Sequence, residues 1–284
     1  MTKTMSRVFV SLMLLAAFAA PAQASMSLDY YVGEIQKLLT EKRISSMMDV
    51  TRALKQGGAS FQTDLALPLN LAKTVQPGDS AGVMIGMYQF DAIYAVSFGR
   101  KKDAANYMQA QDQLMNRLNM RGQLEVSALF PPAFAKLVKT PDKINFDEVV
   151  KAYAANTTNY TILMQAPGGF DVVEDSLYGF LVEGLYVVSN AVILSDFDPT
   201  LVALLADTAP VIQPVLDFYQ AFTSEDYAKF VDDENFLEQG QRAGWLKMLL
   251  KMIVDKKGQL TEKQVRAIAS IAARERATVI ANVN

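Results

Sequence analysis

Two apolar runs constrain this chain most, Ala81–Phe98 and Leu177–Leu194, each 18 residues long and each carrying a single acid, Asp91 and Glu183. Runs of that length and hydropathy leave two options, a membrane-spanning helix or a helix buried on all sides in protein. A carboxylate at mid-bilayer costs about 2.5–3.5 kcal/mol on insertion scales. Leu177–Leu194 has no one-sided cluster of basic residues to set an orientation, and the basic stretch directly after Phe98 reads as a solvated helix junction. The expectation is therefore two buried helices of a bundle.

Helical periodicity continues elsewhere. "LDYYVGEIQKLL" aligns Tyr31, Ile35, Leu38 and Leu39 on one face, and "ANYMQAQDQLMNRLNM" aligns Tyr107, Met108, Gln111, Leu114, Met115 and Leu118. Near the C-terminus the stripes are Leu246, Leu249, Leu250 and Ile253, then Val265, Ile268, Ala269 and Ala272. Thr261 and Gln264 have the spacing of a capping box ahead of the last stripe. Breaks fall at Gly57–Gly58, Pro77–Gly78, Pro131–Pro132, Pro167–Gly169 and Asp198–Pro199, with Asp198 placed as an N-cap. Pro210 and Pro214 require a helix that either kinks or begins near Pro210. No alternating run sits beside a hairpin turn. The fold class is all-α, a helical bundle.

Lys3 and Arg7, the run "VFVSLMLLAAFAA" and then "PAQA" form the pattern of a secretory signal peptide over 1–24. Cleavage after Ala24 leaves 25 basic against 30 acidic side chains in a single domain over 25–284. The expected location is the periplasm, with no transmembrane segment after signal cleavage. An acidic chain with scattered basic residues is a poor partner for nucleic acid. The "GRKKD" cluster at Gly99–Asp103 reads as a solvated helix junction. The sequence holds neither cysteine nor histidine. Disulfide frameworks, Ser–His–Asp and Cys–His nucleophiles and His/Cys zinc sites are thereby excluded. No phosphate-loop or calcium-loop spacing is present, and the methionines lie on apolar faces as core filling, so no cofactor or metal is expected.

"DAIYAVS" at Asp91–Ser97 and "EGLYVVS" at Glu183–Ser189 match after a shift of 92 residues, and each follows a Pro-Gly turn. The expectation is a duplicated helical hairpin, with units near 77–140 and 167–222, and a C-terminal helical hairpin over 224–284. "GMYQFDAIYAVSFGRKKDAANYM" and "VEGLYVVSNAV" together resemble an uncharacterised family of exported all-helical bacterial envelope proteins, many of them lipoproteins of Bacteroidetes, with Y-x-x-D-L-x-Y and W-x-E-G-L-Y helices. The matching positions are Tyr88, Asp91, Ile93 and Tyr94, then Glu183, Gly184, Leu185 and Tyr186. Leu181 and Val182 replace the aromatic residue, and the lipobox cysteine is absent. The resemblance implies an architecture and no chemistry.

A carboxylate in an apolar helix must find a partner or take a proton. Asp91 shares a face with Met84, Met87, Tyr94 and Phe98, and Glu183 with Asp175, Gly179, Tyr186 and Asn190. Asp91 is thus expected to be the deeper of the two. In a structural reading the acids bond tyrosine hydroxyls, as crossed pairs Asp91–Tyr186 and Glu183–Tyr94, or helix N-termini, or an Arg or Lys. In a binding reading, Asp91 and Glu183 with Tyr88, Tyr94 and Tyr186 line a cleft for an amine-bearing small molecule. In a catalytic reading the two acids serve a carboxylate-dependent hydrolase. The expected function is a non-enzymatic binding or interaction protein, its partner a small molecule or an envelope protein, with the hydrolase as the alternative.

Overall fold

A helix without a polar stripe is stable only where every side is covered, and the centre of the fold is such a helix. The computed structural model describes residues 43–75, 80–118, 169–222, 233–254 and 260–281, with residue 33 and short pieces at 138–143, 146–147, 149 and 163–164. The expected signal peptide, the stripe at Tyr31–Leu39 and the turns at Pro77, Pro131 and Pro167 lie outside these residues. In chain order the helices are α1 (Arg43–Gln56), α2 (Leu71–Thr74), α3 (Ala81–Ser97), α4 (Lys101–Arg117), α5 (Gly169–Leu194), α6 (Pro199–Ala206), α7 (Ala209–Phe222), α8 (Asp233–Val254) and α9 (Glu262–Ala281). No strand occurs among the described residues, so the fold is all-α.

Every residue of α3 is buried. It is enclosed by α4 and α5, with α1 against one side. The α3–α5 crossing is close because glycines face backbone. A Cβ on Gly86 would stand 1.9 Å from the Ser176 carbonyl oxygen, and one on Gly179 1.8 Å from that of Val83. The Ser176 hydroxyl bonds Gly82 O at 3.1 Å across the same contact. This is the small-residue packing that lets helix backbones touch. α5 is long and apolar enough to cross a membrane, yet it lies largely inside the bundle, with α3, α9 and α6 packed on it.

Gly99, at φ 76°, turns the chain from α3 into α4 at the "GRKKD" junction. α4 buries the expected face of Tyr107, Met108, Gln111, Leu114 and Met115. Asp198 caps α6 through the amides of Thr200 (2.8 Å) and Leu201 (3.3 Å). α7 begins at Ala209, which resolves the proline question in favour of a helix start. The capping box forms, with Thr261 N–H donating to Gln264 Oε1 at 2.9 Å and Gln264 N–H to Thr261 Oγ1 at 3.4 Å.

The duplication is not visible as two like hairpins. α4 folds back along α3, whereas α5 is followed by the short α6 and by α7, which packs chiefly on α8. α8 and α9 likewise pack on α7 and α5 more than on each other. What the two motif copies share is local. Ser97 donates to Ile93 O at 2.7 Å and Ser189 to Leu185 O at 2.6 Å, each closing a buried hydroxyl onto its own helix.

Candidate functional site

Between α1 and α3 the chain runs through 59–75 with only a 3-10 turn at Thr63–Leu65 and the single turn of α2. Leu65, Ala66, Leu67, Ala72 and Val75 are buried, so the backbone of this segment turns its polar groups toward protein. Such groups need partners as surely as those of a helix do. A row of side chains on α3 supplies them. Tyr94 Oη accepts from Gln62 N–H at 2.9 Å, and Asp91 Oδ2 accepts from Leu67 N–H at 2.8 Å. Tyr88 Oη donates to Pro68 O at 2.7 Å and accepts from Ala72 N–H at 3.2 Å. The spacing of three puts Tyr88, Asp91 and Tyr94 in succession up one side of α3, and the segment runs past them in the opposite direction. Phe61 packs against Tyr94 with ring centroids 4.8 Å apart and planes tilted by 33°.

Glu183 comes to the same place from α5 and holds α9. Arg276 Nε lies 2.8 Å from Oε2 and Nη2 3.1 Å from Oε1, and Nη2 also reaches Leu65 O at 3.2 Å. The guanidinium lies over the Tyr186 ring, 4.5 Å from its centroid. Asp91 and Glu183 are both 0% exposed. Burial pushes the Asp91 carboxyl well above the usual range, and the neighbouring Glu183 charge adds to this. Burial also raises Glu183, while Arg276 pulls it back down. Tyr88, Tyr94 and Tyr107 are raised as well, chiefly by burial.

All five expected site residues are thus brought together, but in other pairings. The crossed Asp91–Tyr186 and Glu183–Tyr94 bonds do not form, because Tyr94 is taken by Gln62 and Tyr186 faces Arg276. Asp91 is no deeper than Glu183, since α9 covers the wetter face of α5. Arg276 was not among the expected residues. Its signal is register: it continues the stripe of Val265, Ile268, Ala269 and Ala272, a cation where an apolar side chain would sit.

A second cluster lies further toward the N-terminus of α5. Arg242, from α8, bonds Glu174 Oε1 at 2.6 Å, Asp175 Oδ1 at 2.7 Å and Glu238 Oε1 at 2.7 Å. Its guanidinium lies 4.5 Å from the Tyr178 ring centroid, and Trp245 meets the same ring edge-on at 5.7 Å. Tyr178 Oη donates to Glu275 Oε2 at 3.2 Å. Asp175 is raised to about 7, first by burial, with Arg242 opposing. A cavity of about 120 Å³ opens here, lined by Tyr178, Glu238, Gln241, Arg242, Glu275 and Thr278 among others. Arg242, in register with Leu246, Leu249 and Ile253, carries the same signal as Arg276, a cation in an apolar stripe. Among the described residues no group of acids is arranged to hold a metal ion.

The chain was compared with protein-family models, curated proteins and solved structures, and it matches none of them.

Proposed function

We propose that this chain is an exported, non-enzymatic helical binding protein whose ligand is a small amine or other organic cation. The observation that carries the reading is the 120 Å³ cavity between α3, α5, α8 and α9. Its lining holds the carboxyls of Glu238 and Glu275 and the guanidinium of Arg242, whose charge is already met by Glu174, Asp175 and Glu238. The balance is acidic, and Tyr178 and Gln241 add an aromatic edge and an amide. Such a lining suits a compact cation better than an anion or a sugar. The signal-like 1–24 segment supports a ligand encounter outside the cytoplasm.

The sealed state of Asp91 and Glu183 weighs against a hydrolase, since an acid/base pair must touch the bond that it breaks. Both acids are instead engaged by Leu67 N–H and by Arg276. The amine site is therefore placed at the second cluster and not at the acid–tyrosine row.

Thermal-shift measurements with methylamines, diamines and polyamines test the reading. Binding at 100 times Kd stabilises the fold by about 2.7 kcal/mol, a readily measured rise in Tm. The rise is expected with at least one amine and lost in Glu275→Gln. No shift with any amine, in a protein that is otherwise folded, would overturn the small-ligand reading in favour of a protein partner. Secretion is checked by the mass of the mature chain, which is expected to begin at Ser25.

A further inference from the structure

The Asp91 carboxyl uses one of its two oxygens on the surrounding backbone. Oδ2 accepts from Leu67 N–H, and Oδ1 is buried with no hydrogen-bond donor from the rest of the protein. The acid set beside it is Glu183, an acceptor whose two oxygens are held by Arg276, and Arg276 in turn reaches Leu65 O, two residues from Leu67. Two carboxylates against one guanidinium would leave an uncompensated negative charge at a site with no solvent exposure. Other groups facing it bring no relief. Tyr88 and Tyr94 on α3 and Tyr107 on α4 are neutral phenols, and Tyr186 on α5 lies against Arg276. Arg276 on α9 is the cation acting on both acids.

We infer that Asp91 is a neutral carboxylic acid that donates its Oδ1–H to Glu183, so that a single proton completes the joint between segment 59–75, α3, α5 and α9. A neutral acid has one acceptor oxygen and one donor hydroxyl, and the site offers one donor, Leu67 N–H, and one acceptor, Glu183. The charges then reduce to one carboxylate and one guanidinium. The joint is consequently pH-sensitive. An unfolded chain releases this proton near pH 4, while the folded protein keeps it to a much higher pH. Between those limits the folded state binds more protons, so stability falls as pH rises and is lost most fully once Asp91 ionises.

Asparagine reproduces both bonds of the neutral acid, accepting through Oδ1 and donating through Nδ2. Asp91→Asn is therefore expected to fold with a Tm at pH 8 equal to or a few degrees above that of the parent, and to show a flatter decline of Tm between pH 5 and pH 9. Glu183→Gln, which loses the charge facing Arg276, is expected to lose Tm. The folded parent at pH 8 is also expected to show the infrared carbonyl stretch of a protonated carboxyl, absent in Asp91→Asn. The inference is overturned if that band is missing from the parent, or if Asp91→Asn fails to fold, loses as much Tm as Glu183→Gln, or keeps the parent's pH slope. The amine-binding reading survives either outcome, because its cavity lies at the other cluster.

Discussion

Leu67 gives its amide proton to Asp91, 2.8 Å away, at a place where the acid has no exposure to solvent. The bond explains why an acid is planted in a core helix. An irregular segment lies against the core at 59–75, and the backbone groups that it turns inward need partners that no neighbouring helix or strand supplies. Tyr88, Asp91 and Tyr94 are those partners, and Glu183 serves the same segment at one remove by holding Arg276 against Leu65 O.

Removing hydroxyls from this row should cost stability unequally. Tyr88→Phe strands the amide of Ala72, a fully buried residue, while Pro68 O keeps the Leu71 N–H, and is expected to cost about 1–3 kcal/mol. Tyr94→Phe strands only the amide of Gln62, a residue that keeps partial access to water, and should cost about 1 kcal/mol or less. Urea unfolding of the two variants gives the comparison.

Arg276→Met leaves the Glu183 charge buried without its cation and is expected to cost about 3–5 kcal/mol. Combining it with Glu183→Leu should recover much of the loss, because an apolar pair of similar volume removes the uncompensated charge. Added salt should change the parent little, since a sealed pair is poorly screened. Denaturant midpoints of the single and double variants check this.

The α3–α5 crossing tolerates no added atom. Gly86→Ala and Gly179→Ala would each drive a Cβ into a backbone carbonyl that cannot rotate away, and each is expected to cost more than about 3 kcal/mol, beyond ordinary overpacking. Gly244→Ala, in α8 with nothing within 4 Å of its Cβ, should instead stabilise by about 0.5–1 kcal/mol. Thermal denaturation of the three variants separates a close crossing from general intolerance of glycine replacement.

Asp175 adds a second pH dependence. Its folded value near 7 lies above the ordinary one, so its contribution is present at low pH and is lost as pH rises toward 7. Its side chain is 24% exposed, which keeps the effect to the order of 1–2 kcal/mol. Asp175→Asn keeps an acceptor for Arg242 and is expected to remove the part of the decline between pH 4 and 7. Guanidinium unfolding at several pH values distinguishes this from the Asp91 contribution, which extends to higher pH.

The helices and their buried faces were legible because they depend on local spacing. The stripes at Tyr107–Met115, Leu246–Ile253 and Val265–Ala272 needed only the period of a helix, and the caps at Asp198 and Thr261 only their neighbours. The acids and tyrosines stood out as polar groups in apolar runs. Their partners did not, because those are backbone amides of a segment with no pattern of its own, and a guanidinium 93 residues beyond Glu183. An arginine in step with an apolar stripe was the available clue, and it recurs at Arg242. The α3–α5 crossing was equally hidden: Gly82 and Gly86 announce a close approach without naming the helix that makes it.

Amide hydrogen exchange at Leu67 tests the role of the acid–tyrosine row most directly. If Asp91 fastens the 59–75 segment to the core, this amide exchanges only through global unfolding, with a free energy matching that from denaturant. Exchange as fast as that of an open loop, in a protein whose α3 amides remain protected, would contradict it.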